Sequence, residues 1–234
     1  MALVTGVDGC KSGWIAITLE TETGDLFHGV HPDGASLFAA TGVGVIAIDI
    51  PIGLTQQGAR ECDQAARRLL GRPRSSSVFP SPIRPALAAR SREEADRITR
   101  GVDGRGVGAQ AWNIYSRIRE VDGLLRKSER LRDKVYESHP EVCFWALNGR
   151  QPIACSKHSP EGLEERRRLI EQHFGVSSFH RVRCAYPKSQ VSADDILDAF
   201  AVCWTARRIF LGEAAMLPVR PSFDTYGLPM RIVY

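Results

Sequence analysis

The apolar run at residues 43–48 constrains the fold more than any other stretch of the chain. It contains four β-branched residues and no polar side chain before Asp49. A run that does not alternate between apolar and polar residues is typical of a strand buried on both faces. Such strands belong to parallel sheets, so the chain is predicted to have an α/β fold.

Three further strands are predicted before this run, separated by short turns. They span Leu3–Asp8, Trp14–Glu20 and Leu26–His31, with a hairpin turn at 22–25 between the last two. Short turns connect neighbouring antiparallel strands, so these three strands are expected to form a meander.

A short helix at 35–40, ended by Gly42, connects the meander to the buried run. A strand–helix–strand connection makes its two strands parallel. The strands that end in Asp8 and Asp49 should therefore have their carboxyl ends at one edge of the sheet, where open α/β sheets bind ligands.

The remainder of the chain is predicted to be mostly helical, with the sheet resuming once. An insertion of helices covers about 59–130, and a third parallel strand at 134–138 contains Glu137. The other predicted elements are a strand at Arg181–Tyr186, a helix at Ala193–Leu211 capped by Ser192, and an apolar run at Met230–Tyr234 expected along a sheet edge.

Acidic residues recur at these strand ends and on the last helix. Asp8, Asp49 and Glu137 end strands, while Asp195 and Asp198 are three residues apart and share a face of an otherwise apolar helix. Two carboxylates on neighbouring strands, about 5 Å apart, repel each other by roughly 3 kcal/mol at an effective dielectric of about 20. Such a cluster must take up protons, recruit arginine or bind a cation.

Oxygen ligands favour Mg²⁺ or Mn²⁺ over zinc. Two such ions about 4 Å apart would activate water and stabilise the leaving oxygen in phosphodiester cleavage. The acids therefore predict a divalent-metal site for phosphate chemistry.

Each acid also has a simpler interpretation. Asp8 and Asp49 are compatible with turns, Glu137 with the dipole of a following helix, and Asp195 with a capping box begun by Ser192. Asp198 is the hardest to explain in this way, because it lies a full turn inside an apolar helix.

Composition narrows the class of protein. The chain has 234 residues, 43% hydrophobic residues and a net charge of +4, which suits one soluble domain over 1–234 and permits an anionic partner. Six scattered cysteines without a C-x-x-C pair argue against a structural zinc site. The chain begins with a strand and has no long apolar run, so a cytoplasmic protein with reduced thiols and no membrane association is expected.

Short motifs spread along the chain resemble a known family, the bacterial and archaeal proteins with domain of unknown function 429. The motifs are Gly6 to Cys10 with Gly13-Trp14, Ile48 to Leu54, Cys62-Asp63 with Ala66-Arg67, Ser76 to Phe79, Glu137 to Glu141, Leu147 to Gly149, Ser156-Lys157, and Asp194-Asp195 with Leu197 to Ala199. Members of this family are regarded as ribonuclease H-like nucleases. The helix around Asp195 and Asp198 is also similar to the closing helix of RuvC-type nucleases.

The resemblance implies a ribonuclease H-like mixed sheet of five strands in the order 3-2-1-4-5, with strand 2 antiparallel and a helical insertion between strands 4 and 5. It implies that Mg²⁺ or Mn²⁺ is held by a set of carboxylates, namely Asp8, Asp49, Glu137, Asp195 and Asp198. It also implies that the serine loop with Ser76 and Ser77, and the pair Lys157-His158, lie near these acids, either to bind a phosphate or as surface polar residues. Lys11 is a further candidate for binding substrate.

Three functional hypotheses follow. The first is a metal-dependent nuclease or related hydrolase that acts on nucleic acid or another phosphate ester. The second is nucleotide-dependent phosphoryl transfer, because Asp8 to Lys11 resembles the phosphate loop of sugar kinases and actin. The third is a binding protein that retains the fold without catalysis.

Overall fold

The computed structural model describes residues 2–41 and 44–234, and a mixed five-stranded sheet lies at its centre. The strands are β1 (Leu3–Cys10), β2 (Gly13–Glu20), β3 (Leu26–His31), β4 (Val45–Ile48) and β5 (Val135–Glu137). Their order is β3-β2-β1-β4-β5, and β2 is antiparallel to both of its neighbours. The predicted fold class is confirmed. Gly42 and Val43, predicted to end the first helix and begin β4, lie outside the described residues.

The pairing register brings the predicted strand ends to one edge. In the parallel pairs, Val7 of β1 is opposite Ile48 of β4, and Ile48 is opposite Glu137 of β5. The backbone N–H of Asp49 continues the ladder by donating to the Val7 carbonyl at 2.9 Å. Asp8, Asp49 and Glu137 therefore follow one another across three adjacent strands.

Helices cover both faces of the sheet in the described part of the chain. They are α1 (Gly34–Thr41), α2 (Glu61–Leu70), α3 (Arg92–Asp103), α4 (Ala109–Asn113), α5 (Tyr115–Lys127), α6 (Glu129–Arg132), α7 (Pro140–Leu147), α8 (Pro160–Phe174), α9 (Ser178–Ala185) and α10 (Ala193–Leu211). The helices α2 to α6 lie between β4 and β5 in the sequence, where an insertion is predicted.

The two sheet faces form separate apolar cores because side chains alternate along a strand. Ala47 of β4 packs with Phe200 of α10 on one face. Its neighbours Ile46 and Ile48 pack with Ile118 of α5 on the other face. A strand buried on both faces explains the uninterrupted apolar run from which the fold was predicted.

The helix α10 lies unusually close to β1 at Gly6. A Cβ atom on Gly6 would lie 2.0 Å from the backbone nitrogen of Cys203 and 2.3 Å from the carbonyl oxygen of Ala199. A residue without a side chain is needed for this approach. The contact fixes α10 against the strand that carries Asp8.

The segment Arg181–Tyr186 is not a strand, so that prediction was wrong. It lies mostly in α9, where Phe179 and Val182 are three residues apart and pack against the core on one helical face. In the predicted segment, Val182, Cys184 and Tyr186 alternate with arginine and alanine, which resembles a weak strand pattern in the sequence.

The C-terminal run also differs from the expectation. The strand β7 (Pro229–Val233) pairs with β6 (Met216–Phe223) in a separate two-stranded sheet instead of extending the main one. It still lies near β5, since the Ser138 hydroxyl donates to the Val233 carbonyl at 2.8 Å.

None of the helices in the described ranges is long and apolar enough to cross a bilayer.

Candidate functional site

Two carboxyl groups meet where β1 and β4 end. Asp8 is buried and Asp49 is partly exposed, and each directly follows one member of the paired residues Val7 and Ile48. Burial, followed by repulsion from Asp49 and Asp198, raises the pKa of Asp8 well above its ordinary value. Burial also raises the pKa of Asp49, against the opposing electrostatic effects of His139 and Lys157. The pair is therefore costly to ionise fully unless a cation compensates it.

The last helix adds a third acid to this edge. Asp198 is 3% exposed, and Lys157 Nζ donates to its Oδ2 at 2.8 Å. Burial raises the pKa of Asp198 to about 6 despite the attraction of Lys157. Asp198, followed by smaller contributions from Asp8 and Asp194, raises the pKa of Lys157, so its ammonium group already balances part of the negative charge.

A cavity of about 540 Å³ opens beside these groups. Of the ten residues predicted for the site, seven line it, and they come from both sets of predicted residues: Asp49, Glu137, Asp198, Ser76, Ser77, Lys157 and His158. A cavity of this size falls in the range of small-molecule and cofactor sites.

The other three predicted residues lie elsewhere. Asp8 lies against the acids of the cavity without lining it. The carboxylate of Asp195 accepts from the Ser192 backbone N–H at 2.9 Å in a capping box that begins α10. Lys11 lines a different surface pocket, with Trp14 and Glu120.

Glu137 is already paired with a buried arginine. Its two oxygens accept from Arg60 at 2.7 and 2.6 Å, and one also accepts from the Ile52 backbone N–H at 2.7 Å. Arg60 also contacts both oxygens of Asp63, at 3.1 and 2.5 Å. Burial opposes the charge on Arg60, yet Asp63 and Glu137 raise its pKa above the ordinary value.

In the described ranges, one group of three residues could supply metal ligands that all lie within 4.8 Å of one another. The group is Cys62, Asp63 and Glu137. Arg60 already supplies the positive charge for both carboxylates of this group. Burial also raises the pKa of the Cys62 thiol, which disfavours the thiolate that binds metals. The carboxyls of Asp8, Asp49 and Asp198 offer oxygen ligands only, which suit a hard cation, and two of them, Asp49 and Asp198, line the cavity.

Five ionisable residues that line the cavity were missed from the sequence, namely Arg60, Asp63, Arg74, His139 and Glu141. His139 lines the cavity, and its Nδ1 is buried without a hydrogen-bond partner among the described residues. The same holds for Nε of Arg74. Glu141 is paired with the buried Arg166 at 2.6 Å. Of these, His139 carried a signal, because it follows a strand-ending acid by two positions.

Comparison with known proteins gives one match. No curated protein and no solved structure matches the chain. The model of the family described as protein of unknown function (DUF429) matches residues 6–222, which include the three acids at the cavity. This match covers most of the sequence, and the chain therefore belongs to the DUF429 family.

Proposed function

We propose that this protein is a divalent-metal-dependent phosphodiester hydrolase, a nuclease of the ribonuclease H-like type. The observation that carries the proposal is the position of Asp8 and Asp49. They lie at the carboxyl ends of adjacent parallel strands, beside the buried Asp198, and repulsion from Asp49 and Asp198 helps to raise the pKa of Asp8.

Such an arrangement destabilises the folded protein unless a bound cation compensates the charges. Three acids are brought together with pKa values raised by burial, which costs stability whenever they ionise. Buried acids with strongly perturbed pKa values beside a cavity are typical of functional sites. The donor set is oxygen only, which suits Mg²⁺ or Mn²⁺.

Asp8, Asp49 and Asp198 would hold the metal. When bound, Mg²⁺ or Mn²⁺ would lower the pKa of a water molecule and stabilise charge on the leaving oxygen. Lys157 would exchange Asp198 for a phosphate oxygen, since it is part of the cavity wall and only partly buried. His139, Ser76 and Ser77 line the same cavity and would orient that phosphate.

A substitution at Asp49 tests the proposal. Labelled single-stranded, double-stranded and structured DNA and RNA would be incubated with the protein and Mn²⁺. We expect cleavage by the wild type and a loss of at least about 100-fold in the Asp49→Asn variant, because one metal ligand is gone.

The control is Asp25→Asn, an exposed acid of the β2–β3 turn, which should cleave like the wild type. Equal cleavage by the Asp49→Asn and wild-type proteins would refute the proposal, and so would the absence of cleavage for every substrate.

The Lys157–Asp198 pair favours a second candidate, a binding protein that retains the fold without catalysis. In that case Lys157 is a permanent counterion and no metal is required. Calorimetric titration with Mn²⁺ separates the two, since a permanent counterion predicts no heat of binding. The position of Lys11 in a different pocket gives no support to nucleotide-dependent phosphoryl transfer.

A further inference from the structure

A second cavity, of about 410 Å³, adjoins the one that contains the acids. The two cavities share three lining residues, Phe79, Ser81 and Gln110. The segment around Phe79 therefore forms the wall between them, and a ligand can extend from one cavity into the other.

The chemistry of the second cavity differs from that of the first. Its walls include Pro80, Pro82, Ile83 and Tyr115, and it contains no residue of the acid cluster. Apolar walls with a few polar groups at the edge are typical of sites for a flat, mostly apolar ligand.

Polar groups lie where such a ligand would present its edge. Gln110 is exposed at the boundary, and its amide can both donate and accept hydrogen bonds. The Ser81 hydroxyl is buried and has no hydrogen-bond partner in the part of the chain that the structure describes. Both are suited to the edge of a nucleobase.

Phe79 is 43% exposed although it is a large apolar residue. An aromatic ring next to a phosphate-binding cavity is the arrangement by which proteins stack single-stranded bases. Burial of the ring by a base would remove this exposed apolar surface from water.

We infer that the second cavity binds an unpaired nucleobase whose neighbouring phosphate lies in the cavity of the acids. This inference rests on the proposed function and names its substrate class, single-stranded nucleic acid. A base in a duplex is paired and stacked, and it would have to leave the helix before it could enter the pocket.

Binding measurements test this inference without requiring cleavage. Fluorescein-labelled oligonucleotides, single-stranded and as the matched duplex, would be titrated with the protein in Ca²⁺ and followed by anisotropy. DNA and RNA are run separately, so that the sugar preference is measured too. We expect single strands to bind at least about 10-fold more tightly than duplexes, because only their bases can enter.

Two variants assign the preference to the pocket. Phe79→Ala should weaken single-strand binding by about 10- to 100-fold, the usual effect of removing one stacking ring. Ala109→Trp, at an exposed position that lines the cavity, should fill the pocket and have a similar effect. The control is Phe223→Ala, which removes an exposed ring on β6 and should bind like the wild type.

Equal affinity for single strands and duplexes would overturn the inference, as would Phe79→Ala and Ala109→Trp variants that bind like the control. An absence of binding to any oligonucleotide would overturn it too. If the single-strand preference depends on Phe79 but no oligonucleotide is cleaved in Mn²⁺, the base pocket stands and phosphodiester hydrolysis fails. If the protein cleaves an oligonucleotide but binds single strands and duplexes equally, phosphodiester hydrolysis stands and the base pocket fails.

Discussion

At the residue scale, the candidate site depends on how buried charges are balanced. Asp198 is balanced by Lys157, Glu137 and Asp63 by Arg60, and Glu141 by Arg166. Asp8 and Asp49 form no such ion pair within the described ranges, and repulsion from Asp49 adds to the effect of burial in raising the pKa of Asp8. An incoming cation is therefore expected at Asp8 and Asp49, with Asp198 joining them if Lys157 moves.

The raised pKa of Asp198, about 6, predicts how stability changes with pH. Between the ordinary pKa of an aspartate, about 4, and this value, the folded protein binds more protons than the unfolded chain. The free energy of unfolding of the wild type, relative to Asp198→Asn, should therefore fall by on the order of 2 kcal/mol as pH rises from 4 to 7.

Urea unfolding at a series of pH values measures this difference, and the comparison with Asp198→Asn cancels the titration of groups that do not interact with Asp198. If the stability difference between the wild type and Asp198→Asn stays constant as pH rises, or grows in favour of the wild type, the pKa of Asp198 is not raised. Added Mn²⁺ should stabilise the wild type more as pH rises, because the metal requires ionised carboxylates.

Replacement of Lys157 by alanine should destabilise the metal-free protein at pH 7. The buried Asp198 loses a charged hydrogen bond at 2.8 Å, which is worth about 1–3 kcal/mol. Near pH 5, where Asp198 takes up a proton, the loss should be smaller. Thermal unfolding at both values measures the effect, with Lys188→Ala, an exposed lysine, as the control. A loss that is the same at both pH values would be inconsistent with a role for the Lys157–Asp198 pair.

At the scale of the element, the packing of α10 against β1 positions the acids of the site. The helix brings Asp198 to the strand that carries Asp8, and the absence of a side chain at Gly6 permits the approach. The arrangement of the acids is thus set by helix packing more than by loops.

The substitution Gly6→Ala tests this packing. The added Cβ would overlap the backbone of α10, which a side-chain rotation cannot relieve, so a loss of about 3 kcal/mol or more is expected. The matched control is Gly123→Ala in α5, where a Cβ meets nothing within 4 Å and helix propensity predicts a gain of about 1 kcal/mol. Chemical denaturation measures both. Similar stability of the two variants would mean that α10 can move away from β1 at little cost.

At the scale of the whole molecule, one arginine connects parts that are distant in the sequence. Arg84 forms ion pairs with Asp122 of α5 and with Asp224 in the C-terminal hairpin, and all three side chains are largely buried. The guanidinium groups of Arg84 and Arg126 both contact the ring of Tyr226, at 4.9 and 3.5 Å from its centroid. This cluster joins the C-terminal hairpin to the inserted helices.

The variant Arg84→Leu should lose about 3 kcal/mol, because the buried Asp224 loses its counterion and Asp122 keeps only the longer pair with Arg126 at 3.5 Å. Arg100→Leu, which removes an exposed pair with Asp96, should change stability by no more than about 0.5 kcal/mol. Urea unfolding compares the two. If Arg84→Leu resembles Arg100→Leu, the buried cluster does not stabilise the fold.

The sequence predicted the parts of this molecule that follow local rules. Strand ends and helical spacing brought Asp8, Asp49 and Asp198 to one edge, and the register of the strands agrees. The partners of the acids could not be predicted in this way. Arg60 reaches Glu137 across 77 residues, and Lys157 reaches Asp198 across 41, so only tertiary packing determines these pairs. For α9, the alternation of Val182, Cys184 and Tyr186 with other residues did not distinguish helix from strand.

The capping box at the start of α10 affects how mutants of Asp195 should be interpreted. Its carboxylate organises the first turn of α10, and Asp198 lies one turn further along that helix. A variant of Asp195 can therefore lose activity by fraying the helix, even if this residue never touches an ion. Amide hydrogen exchange distinguishes the two cases, because fraying accelerates exchange at residues 193–197, whereas the loss of a ligand leaves it unchanged.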